Sequence, residues 1–131
     1  MKYYPVCLDI RERPCVVVGG GEVAARKVER LLECGAAVTV VAGELGDMLR
    51  ELAAAGRIRH VAADYEARYL AGAFLVIGAT DREEVNDCIA ADCRAGGILV
   101  NVVDDPRRCD FILPALLTRG SLSIAVATDG K

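Results

Sequence analysis

Apolar runs alternate with amphipathic segments through the first hundred residues of the chain. Continuous apolar runs, typical of strands buried on both faces, occupy residues 15–18, 37–42, 73–79 and 98–103, and a shorter strand is predicted at 58–61. Strands that alternate with helices form a parallel sheet with right-handed crossovers. The pattern therefore predicts a three-layer α/β domain, doubly wound around a parallel sheet.

Three amphipathic helices are predicted between these strands, because apolar residues recur there every three to four positions. The first carries Ala24, Val28, Leu31 and Leu32 on one face, and Gly35 ends it in a left-handed conformation. The apolar faces of the other two consist of Leu45, Met48, Leu49, Leu52 and Ala53, and of Val85, Cys88, Ile89 and Cys93. We expect all three faces to pack against the sheet.

The two ends of the chain depart from this alternation. Pro5 lies in an extended segment at 3–10, which favours a lead-in or an edge over a central strand. After Phe111, residues 111–117 and 122–127 have strand character and flank a turn at Arg119-Gly120. We expect these two strands to extend the sheet, with no helix after them.

Three glycines join the first strand to the first helix, in the order Gly19-Gly20-Gly21-Glu22-Val23-Ala24. The Gly-x-Gly-x-x-Ala spacing is that of a Rossmann-like dinucleotide-binding turn. Gly19 permits the turn, Gly21 lets the backbone approach a pyrophosphate, and the helix N-terminus at Glu22 and Val23 offers N–H groups to phosphate. Because a strand precedes the glycines and a helix follows them, the pattern favours nucleotide binding over an ordinary turn.

Ligands of parallel α/β sheets bind outside the edge where the carboxyl ends of the strands meet. That rule brings four segments to one crevice: the glycine turn, Gly43-Glu44, Thr80-Asp81 and Asp104-Asp105. No arginine stands near Glu44 to hold a 2′-phosphate, which favours NAD over NADP. Glu44 itself has two open interpretations, since it either binds the ribose hydroxyls or lies in the first turn of the next helix.

Two aspartates of this edge also have a structural and a functional interpretation. Asp81 either faces the crevice or forms a capping box with Glu84, three residues later. Asp104 directly follows an apolar strand, and partial burial there would suit its carboxylate to accept a proton. The alternative is that Asp104-Asp105-Pro106 is a turn in which an aspartate caps local N–H groups.

Composition and charge exclude several classes of protein. The 131 residues suffice for one domain, and a net charge of −3 gives no reason to expect nucleic acid as a partner. No apolar run approaches the ~20 residues of a membrane span. Asp9, Arg11 and Glu12 interrupt any apolar leader segment. We therefore expect a cytoplasmic protein that does not bind membranes.

The six cysteines include no C-x-x-C pair, and His60 is the single histidine. Zinc sites need closely spaced thiolates or imidazoles, so this spacing argues against a metal site. We expect most of the thiols to be small buried side chains in a reducing compartment. His60 is expected to be a surface or edge residue rather than a ligand or a base.

Five segments together carry a resemblance to a known family. They read Tyr-Pro-Val-Cys-Leu-Asp at 4–9, Val-Val-Gly-Gly-Gly-Glu-Val-Ala-Ala-Arg-Lys at 17–27, Ala-Thr-Asp at 79–81, Asn-Val-Val-Asp-Asp-Pro at 101–106 and Cys-Asp-Phe-Ile-Leu-Pro-Ala at 109–115. In this order and spacing, residues 4–130 resemble the N-terminal NAD-binding domain of the siroheme synthase and precorrin-2 dehydrogenase family.

The resemblance implies NAD-dependent oxidation of precorrin-2 to sirohydrochlorin, followed in some members by insertion of Fe²⁺ to make sirohaem. It implies that Asp104 is the catalytic aspartate and that Glu22, Val23, Gly43 and Glu44 contact NAD. Removing a hydride from the tetrapyrrole also requires the loss of a proton, which a carboxylate beside the nicotinamide could accept.

The implied substrate carries eight carboxylates, so basic side chains are expected where the tetrapyrrole lies. Arg107 and Arg108 follow Asp104 closely, and Arg119 lies in the turn between the last two strands. We expect at least one of the three to bind substrate rather than to serve only as a solvated surface charge.

The sequence departs from the family pattern in two positions and in length. Gly43 stands where a proline is usual, and Asp129-Gly130 where Gly-Gly is usual. The helical part that follows this domain in the family, where the homodimer forms and the tetrapyrrole binds, is absent from the 131 residues. Besides the enzyme, two alternatives stay open: an NAD-binding regulatory module without turnover, and a truncated fragment that is catalytically silent.

Overall fold

A computed structural model, which describes residues 1–129, contains the five expected parallel strands. They are β1 (Pro14–Val18), β2 (Ala37–Val41), β3 (Arg59–Val61), β4 (Leu75–Gly78) and β5 (Leu99–Val102). Their order in the sheet is β3-β2-β1-β4-β5, so the chain winds outward from β1 to β3 and then crosses to the other side of β1. The winding direction changes between β1 and β4, which is where open α/β sheets bind their ligands.

Helices cover both faces of the sheet, which confirms the predicted three layers. They are α1 (Glu22–Glu33), α2 (Asp47–Ala54) and α3 (Glu83–Gly96), with short 3₁₀ turns at Ala67–Leu70 and Pro106–Arg108. Successive side chains of a strand point to opposite faces: Cys15 and Val17 of β1 pack with α1 and α2, whereas Val16 and Val18 pack with α3. Because both faces are buried, the strand has no polar alternation.

The apolar faces of two helices differ from the prediction. Met48 of α2 is exposed. In α3, Cys88 is exposed as well, and the buried residues are Asn86, Ile89, Ala90 and Cys93. Asn86 occupies a buried position because its side-chain amide is hydrogen-bonded to Thr80, a partner that an apolar periodicity does not reveal. The end of α1 agrees with the prediction, since Gly35 is left-handed there, and Gly97 ends α3 in the same conformation.

Only two of the six thiols, Cys15 and Cys93, are buried within the described residues, which corrects the expectation that most would be. Burial raises the pKa of each to about 11. Cys7, Cys34 and Cys88 are exposed because they lie in the lead-in, at the end of α1 and on the outer face of α3.

The last two strands, β6 (Ala115–Arg119) and β7 (Leu122–Val126), form a separate antiparallel hairpin instead of extending the parallel sheet. The segment before the hairpin occupies the outer edge of β5. There the Asp110 N–H donates to the Val100 carbonyl over 2.7 Å, and the Val100 N–H donates to Asp110 Oδ2 over 3.1 Å. The chain then leaves the edge, and both strands of the hairpin are exposed throughout.

Residues 1–13 contain neither helix nor strand, in agreement with the predicted lead-in. No helix within residues 1–129 is long and apolar enough to cross a membrane. The family departure at Asp129-Gly130 includes Gly130, which lies outside the described residues.

Candidate dinucleotide-binding site

A cavity of about 560 Å³ opens beside the carboxyl ends of β1, β2 and β4. Its wall includes all eight residues predicted to bind a dinucleotide, namely Gly19, Gly21, Glu22, Val23, Gly43, Glu44, Thr80 and Asp81. The wall also contains residues that the sequence patterns did not assign to this site, among them Ala63, Asp64, Tyr65, Arg82 and Val85. These come from the loop after β3 and from the start of α3. Only the order of strands in the sheet reveals that both segments adjoin the glycine turn.

The glycine turn is fixed by close backbone approaches. Gly19 has a φ of +133°, and a β-carbon there would lie 2.3 Å from the Ala79 carbonyl oxygen. A β-carbon on Gly20 would lie 2.1 Å from the Glu44 carbonyl oxygen, so this middle glycine is as constrained as its neighbour. Apart from Gly21 and its two chain neighbours, no described residue has an atom within 4 Å of the position that a β-carbon on Gly21 would take. The backbone at Gly21 is therefore open to a ligand, as its place in the motif predicts.

The N-terminus of α1 faces this opening without a side-chain cap. Gly21 is the N-cap residue and supplies no side-chain oxygen, so the first N–H groups of the helix remain available to a ligand oxygen. Ala24 is fully buried against the sheet, as expected of the small residue that ends the motif. The positive end of the helix dipole adds to the attraction for an anion. This arrangement fits a pyrophosphate.

The segment after β2 contradicts one of the two interpretations of Glu44. The first turn of α2 begins at Asp47, with Gly46 as its N-cap, so Glu44 lies before the helix and not in its first turn. Glu44 instead lines the cavity, as the ribose-binding interpretation requires. His60 lies on the edge strand β3, as expected, and its Nε2 is 2.8 Å from the Ala42 carbonyl oxygen. Within residues 1–129, no three His, Cys, Asp or Glu side chains are arranged to hold a metal ion.

The segment after β4 shows that Asp81 and Glu84 do not form a capping box. α3 begins at Glu83, and its N-cap residue Arg82 makes no side-chain cap. The Thr80 hydroxyl holds the turn before the helix instead, because it accepts a bond from the Arg82 N–H over 3.3 Å and lies 2.7 Å from Asn86 Oδ1. Asp81 is thereby left on the cavity wall, and Glu84 accepts a bond from Arg82 Nε over 2.9 Å.

Tyr65 contributes the largest side chain among the newly found wall residues. Its hydroxyl donates to Asp92 Oδ2 over 2.6 Å and thereby joins the loop after β3 to α3. Burial, followed by the hydrogen bond to Asp92, raises the pKa of Tyr65. Its hydroxyl therefore stays protonated at neutral pH and holds that loop in place.

Asp104 lies at the same edge of the sheet as the cavity but is not part of its wall. Its side chain is exposed, so the partial burial expected for it is wrong. The chain does turn here, but the Asp105 N–H closes the turn by donating to the Val102 carbonyl over 3.1 Å, so the closing bond is between backbone groups and does not involve an aspartate side chain. Asp104 has a φ of +62°, which among the described non-glycine residues only Glu12 shares. Such conformations are costly and concentrate at functional sites.

The three arginines predicted to bind substrate have different surroundings. Arg107 and Arg119 are exposed. The Arg108 side chain is only 20% exposed, and its guanidinium contacts three carboxylates, those of Glu83, Asp87 and Asp105. Arg108 is therefore already engaged with the protein, whereas Arg107 and Arg119 are accessible to an anionic ligand.

The strand order, the constrained glycine turn and the uncapped helix at the winding switch define a Rossmann-like dinucleotide-binding domain. Residues 6–115 match the model of the family described as "Putative NAD(P)-binding", and the chain belongs to that family.

Curated and solved proteins agree with the resemblance seen in the sequence. A siroheme synthase from Methylobacillus flagellatus is 48% identical over 130 residues, which are 99% of this chain and 28% of that protein. A solved structure named SirC, precorrin-2 dehydrogenase, is 33% identical with a TM-score of 0.85, over 98% of this chain and 63% of the other. GenD2 from gentamicin A biosynthesis, solved in complex with NAD, is 25% identical with a TM-score of 0.55, over 76% of this chain and 29% of the other. The chain thus spans little more than a quarter of the siroheme synthase that it matches.

Proposed function

We propose that this domain oxidises precorrin-2 to sirohydrochlorin with NAD⁺. The observation that carries the proposal is the likeness to a precorrin-2 dehydrogenase over 98% of the chain, which includes the glycine turn and the Asp104 loop. The relatives named siroheme synthase support the same reaction. Insertion of Fe²⁺ by the same protein is a separate and weaker proposal, which rests on the resemblance alone.

The residues of the cavity suit the cofactor's different parts. The pyrophosphate fits the backbone at Gly21 and the N-terminus of α1. The wall carries the carboxylates of Glu22, Glu44, Asp64 and Asp81, and its one cation among the described wall residues, Arg82, is already paired with Glu84. A 2′-phosphate would therefore meet negative charge and no unpaired guanidinium, which supports NAD over NADP.

Asp104 is the proposed proton acceptor. NAD⁺ held in this cavity would supply the hydride acceptor, so the second hydrogen that the substrate loses must leave as a proton. The Asp104 side chain is exposed at the end of β5, beside β4 and its cavity loop, so a flat substrate held against this edge can reach it. Arg107 and Arg119 are the proposed partners of the substrate carboxylates, and Gln in place of either should raise KM for precorrin-2 without lowering kcat.

A binding and turnover comparison tests the function. NAD and NADP are titrated into the chain by calorimetry, where we expect NAD to bind more tightly. Oxidation of precorrin-2 is followed with the chain and with a chimera in which residues 1–131 replace the matching segment of the Methylobacillus flagellatus relative. NAD binding without turnover in either protein would contradict the proposal and favour a regulatory module. Turnover in the chimera alone would identify the isolated chain as a silent fragment.

Iron insertion is tested separately in the same two proteins. Sirohydrochlorin and Fe²⁺ are incubated without oxygen, and sirohaem formation is followed by absorbance. Acceleration that depends on the protein would support a second activity, and a rate equal to the protein-free rate would exclude it. The proposed reaction takes place in the cytoplasm, a location that rests on the sequence prediction.

We also propose that the hairpin β6–β7 lies in a homodimer interface. The register places Leu117 opposite Ile124 and Ala115 opposite Val126, so these four side chains share one face. That face is apolar and exposed: Leu117 is 67% and Val126 63% accessible. Contiguous apolar surface of this kind marks interaction sites.

A further inference from the structure

The conformation of Asp104 has to be imposed by its surroundings. A φ of +62° is disfavoured for a residue with a β-carbon, and it persists only where neighbouring contacts fix the chain. The loop that contains Asp104 runs from β5 to the segment on that strand's outer edge. The contacts of this loop therefore determine where the proposed proton acceptor lies.

The guanidinium of Arg108 is the main link between this loop and the rest of the domain. Its Nη1 lies 3.0 Å from Glu83 Oε2 and 3.2 Å from Asp105 Oδ2, and its Nη2 lies 2.5 Å from Asp87 Oδ1. Glu83 and Asp87 are one turn apart on α3, whereas Asp105 directly follows Asp104. Arg108 thus fastens the residue next to Asp104 to the helix that begins beside the cavity.

Direct binding of a substrate carboxylate by Arg108 agrees poorly with these contacts. Its single positive charge faces three carboxylates, so the local charge is negative and repels a further anion. Its two terminal nitrogens already have partners. Arg107 differs, because its side chain is 91% exposed and its only described ion pair, to Asp105, spans 3.6 Å.

Other contacts keep the loop folded when Arg108 is changed. Arg94 Nη2 donates to the Arg107 carbonyl over 3.1 Å. The Cys109 thiol lies 3.3 Å from the Val102 N–H nitrogen and 3.1 Å from the Asp105 carbonyl oxygen. A variant of Arg108 should therefore loosen the loop at Asp104 without unfolding it.

We propose that Arg108 is a positioning residue for the dehydrogenation, which holds Asp104 at the substrate edge through Asp105, Glu83 and Asp87. The inference rests on the proposed function for its catalytic consequence, but the positioning itself is measurable without turnover. It replaces direct substrate binding as the role of Arg108.

Steady-state kinetics of the enzyme that turns over precorrin-2 separate the two roles. We expect Arg108→Ala to lower kcat by about 10–100-fold, because a displacement of the catalytic group by about 1 Å costs that much. The KM for precorrin-2 and the affinity for NAD should stay within about twofold of the parent's values. Arg108→Lys, and added guanidinium with the Ala variant, should restore part of kcat. Arg30→Ala, which removes an exposed ion pair with Glu33 on α1, is the matched control and should leave kcat unchanged. A raised KM with unchanged kcat would overturn the inference in favour of direct binding, and an unchanged kcat and KM would exclude both roles.

Hydrogen exchange of the 131-residue chain provides the second measurement. In Arg108→Ala, and equally in the double variant Glu83→Gln/Asp87→Asn, we expect faster exchange at residues 104–109 and unchanged exchange in the glycine turn. Unchanged exchange in both variants would overturn the positioning role. If the parent protein fails to oxidise precorrin-2, the proposed function fails, whereas this measurement still decides whether Arg108 holds the loop.

Discussion

The glycine turn illustrates how single residues set the shape of the cavity. Gly19 and Gly20 carry the backbone past Ala79 and Glu44 at distances that leave no room for a methyl group, whereas Gly21 faces open space. Two adjacent glycines therefore have different roles: Gly20 allows the domain to fold, and Gly21 allows a ligand to approach the backbone. The motif spacing singles out Gly19 and Gly21 and leaves Gly20 variable. It does not reveal the constraint on Gly20, because Glu44 follows a different strand of the sheet.

Alanine substitutions at the two positions should separate these roles. Gly20→Ala should lower the free energy of unfolding by about 1–3 kcal/mol, because the methyl group overlaps the Glu44 carbonyl. Gly21→Ala should leave stability nearly unchanged, since no described residue beyond its two chain neighbours lies near the added carbon, but should weaken NAD binding. Urea unfolding and calorimetry measure the two effects. Equal losses of stability in both variants would contradict the assignment.

Asp104 is the residue on which the proposed chemistry depends. Asp104→Ala, made in the enzyme that turns over precorrin-2, should lower kcat by about 10²–10⁴-fold, the range for loss of a general base. NAD affinity should be retained, because Asp104 is not part of the cavity wall. Asp64→Ala is the control, because it changes the wall of the cavity and should affect NAD affinity rather than kcat. Asp110→Ala is not suitable as a control, since Asp110 is bonded to the edge of β5. Undiminished turnover in Asp104→Ala would remove Asp104 from the mechanism.

Among the elements, β1 and α3 carry the two buried thiols on opposite faces of the sheet. Cys15 lies in the layer of α1 and α2, and Cys93 in the layer of α3. In both, burial disfavours the thiolate and raises the pKa from 9.0 to about 11. The unfolded chain therefore releases these protons at lower pH than the folded chain does, so alkaline pH favours unfolding.

Stability should consequently be highest below pH 9 and fall between about pH 9 and pH 11. Linkage gives a limiting slope of about 1.4 kcal/mol per pH unit for each thiol. Urea unfolding at a series of pH values measures the slope of the free energy of unfolding against pH. We expect this slope to be shallower above pH 9 in Cys93→Ala than in the parent, even though the variant is less stable at pH 7. Cys34→Ala, at an exposed position, should leave the slope unchanged. A slope that is identical in all three proteins would refute a role of the buried thiols.

The two faces of the hairpin β6–β7 differ in composition. Leu117 and Ile124 form a cross-strand pair on the apolar face, and Thr118 and Ser123 form the adjacent pair on the other face. If the apolar face lies in a homodimer, Leu117→Glu with Ile124→Glu should convert the dimer to a monomer in light scattering. Thr118→Glu with Ser123→Glu, which adds the same charge to the other face, should leave the dimer intact. A parent protein that is monomeric at high concentration would exclude this interface.

At the scale of the whole molecule, the sequence predicted the layers and the cavity but not the packing of the last two strands. Buried parallel strands have continuous apolar runs, and such runs alone predicted β1, β2, β4 and β5. The glycine spacing then located the cofactor cavity. The packing of β6 and β7 was not predictable in this way, because Asp110 and Phe111 occupy the edge of β5 through hydrogen bonds with Val100 and Asn101 that have no periodicity. The contacts of Tyr65 and Arg108 were not predictable for a similar reason, since their partners Asp92 and Glu83 lie on a helix that is distant in sequence.

The position of β1 between β2 and β4 has a consequence for how the domain folds. Cys15 of β1 pairs with Val38 of β2, and a single helix separates these two residues along the chain. On its other side Cys15 pairs with Leu75 of β4, and most of the first half of the chain lies between them in sequence. Pairings that close long loops form late, because their entropic cost must be met before the contact stabilises them. We therefore expect the seam between β1 and β4 to be the last pairing of the parallel sheet to form, and the cavity opens beside the ends of these two strands. A dinucleotide bound there would contact the segments that follow both strands, so its binding should stabilise the seam between them.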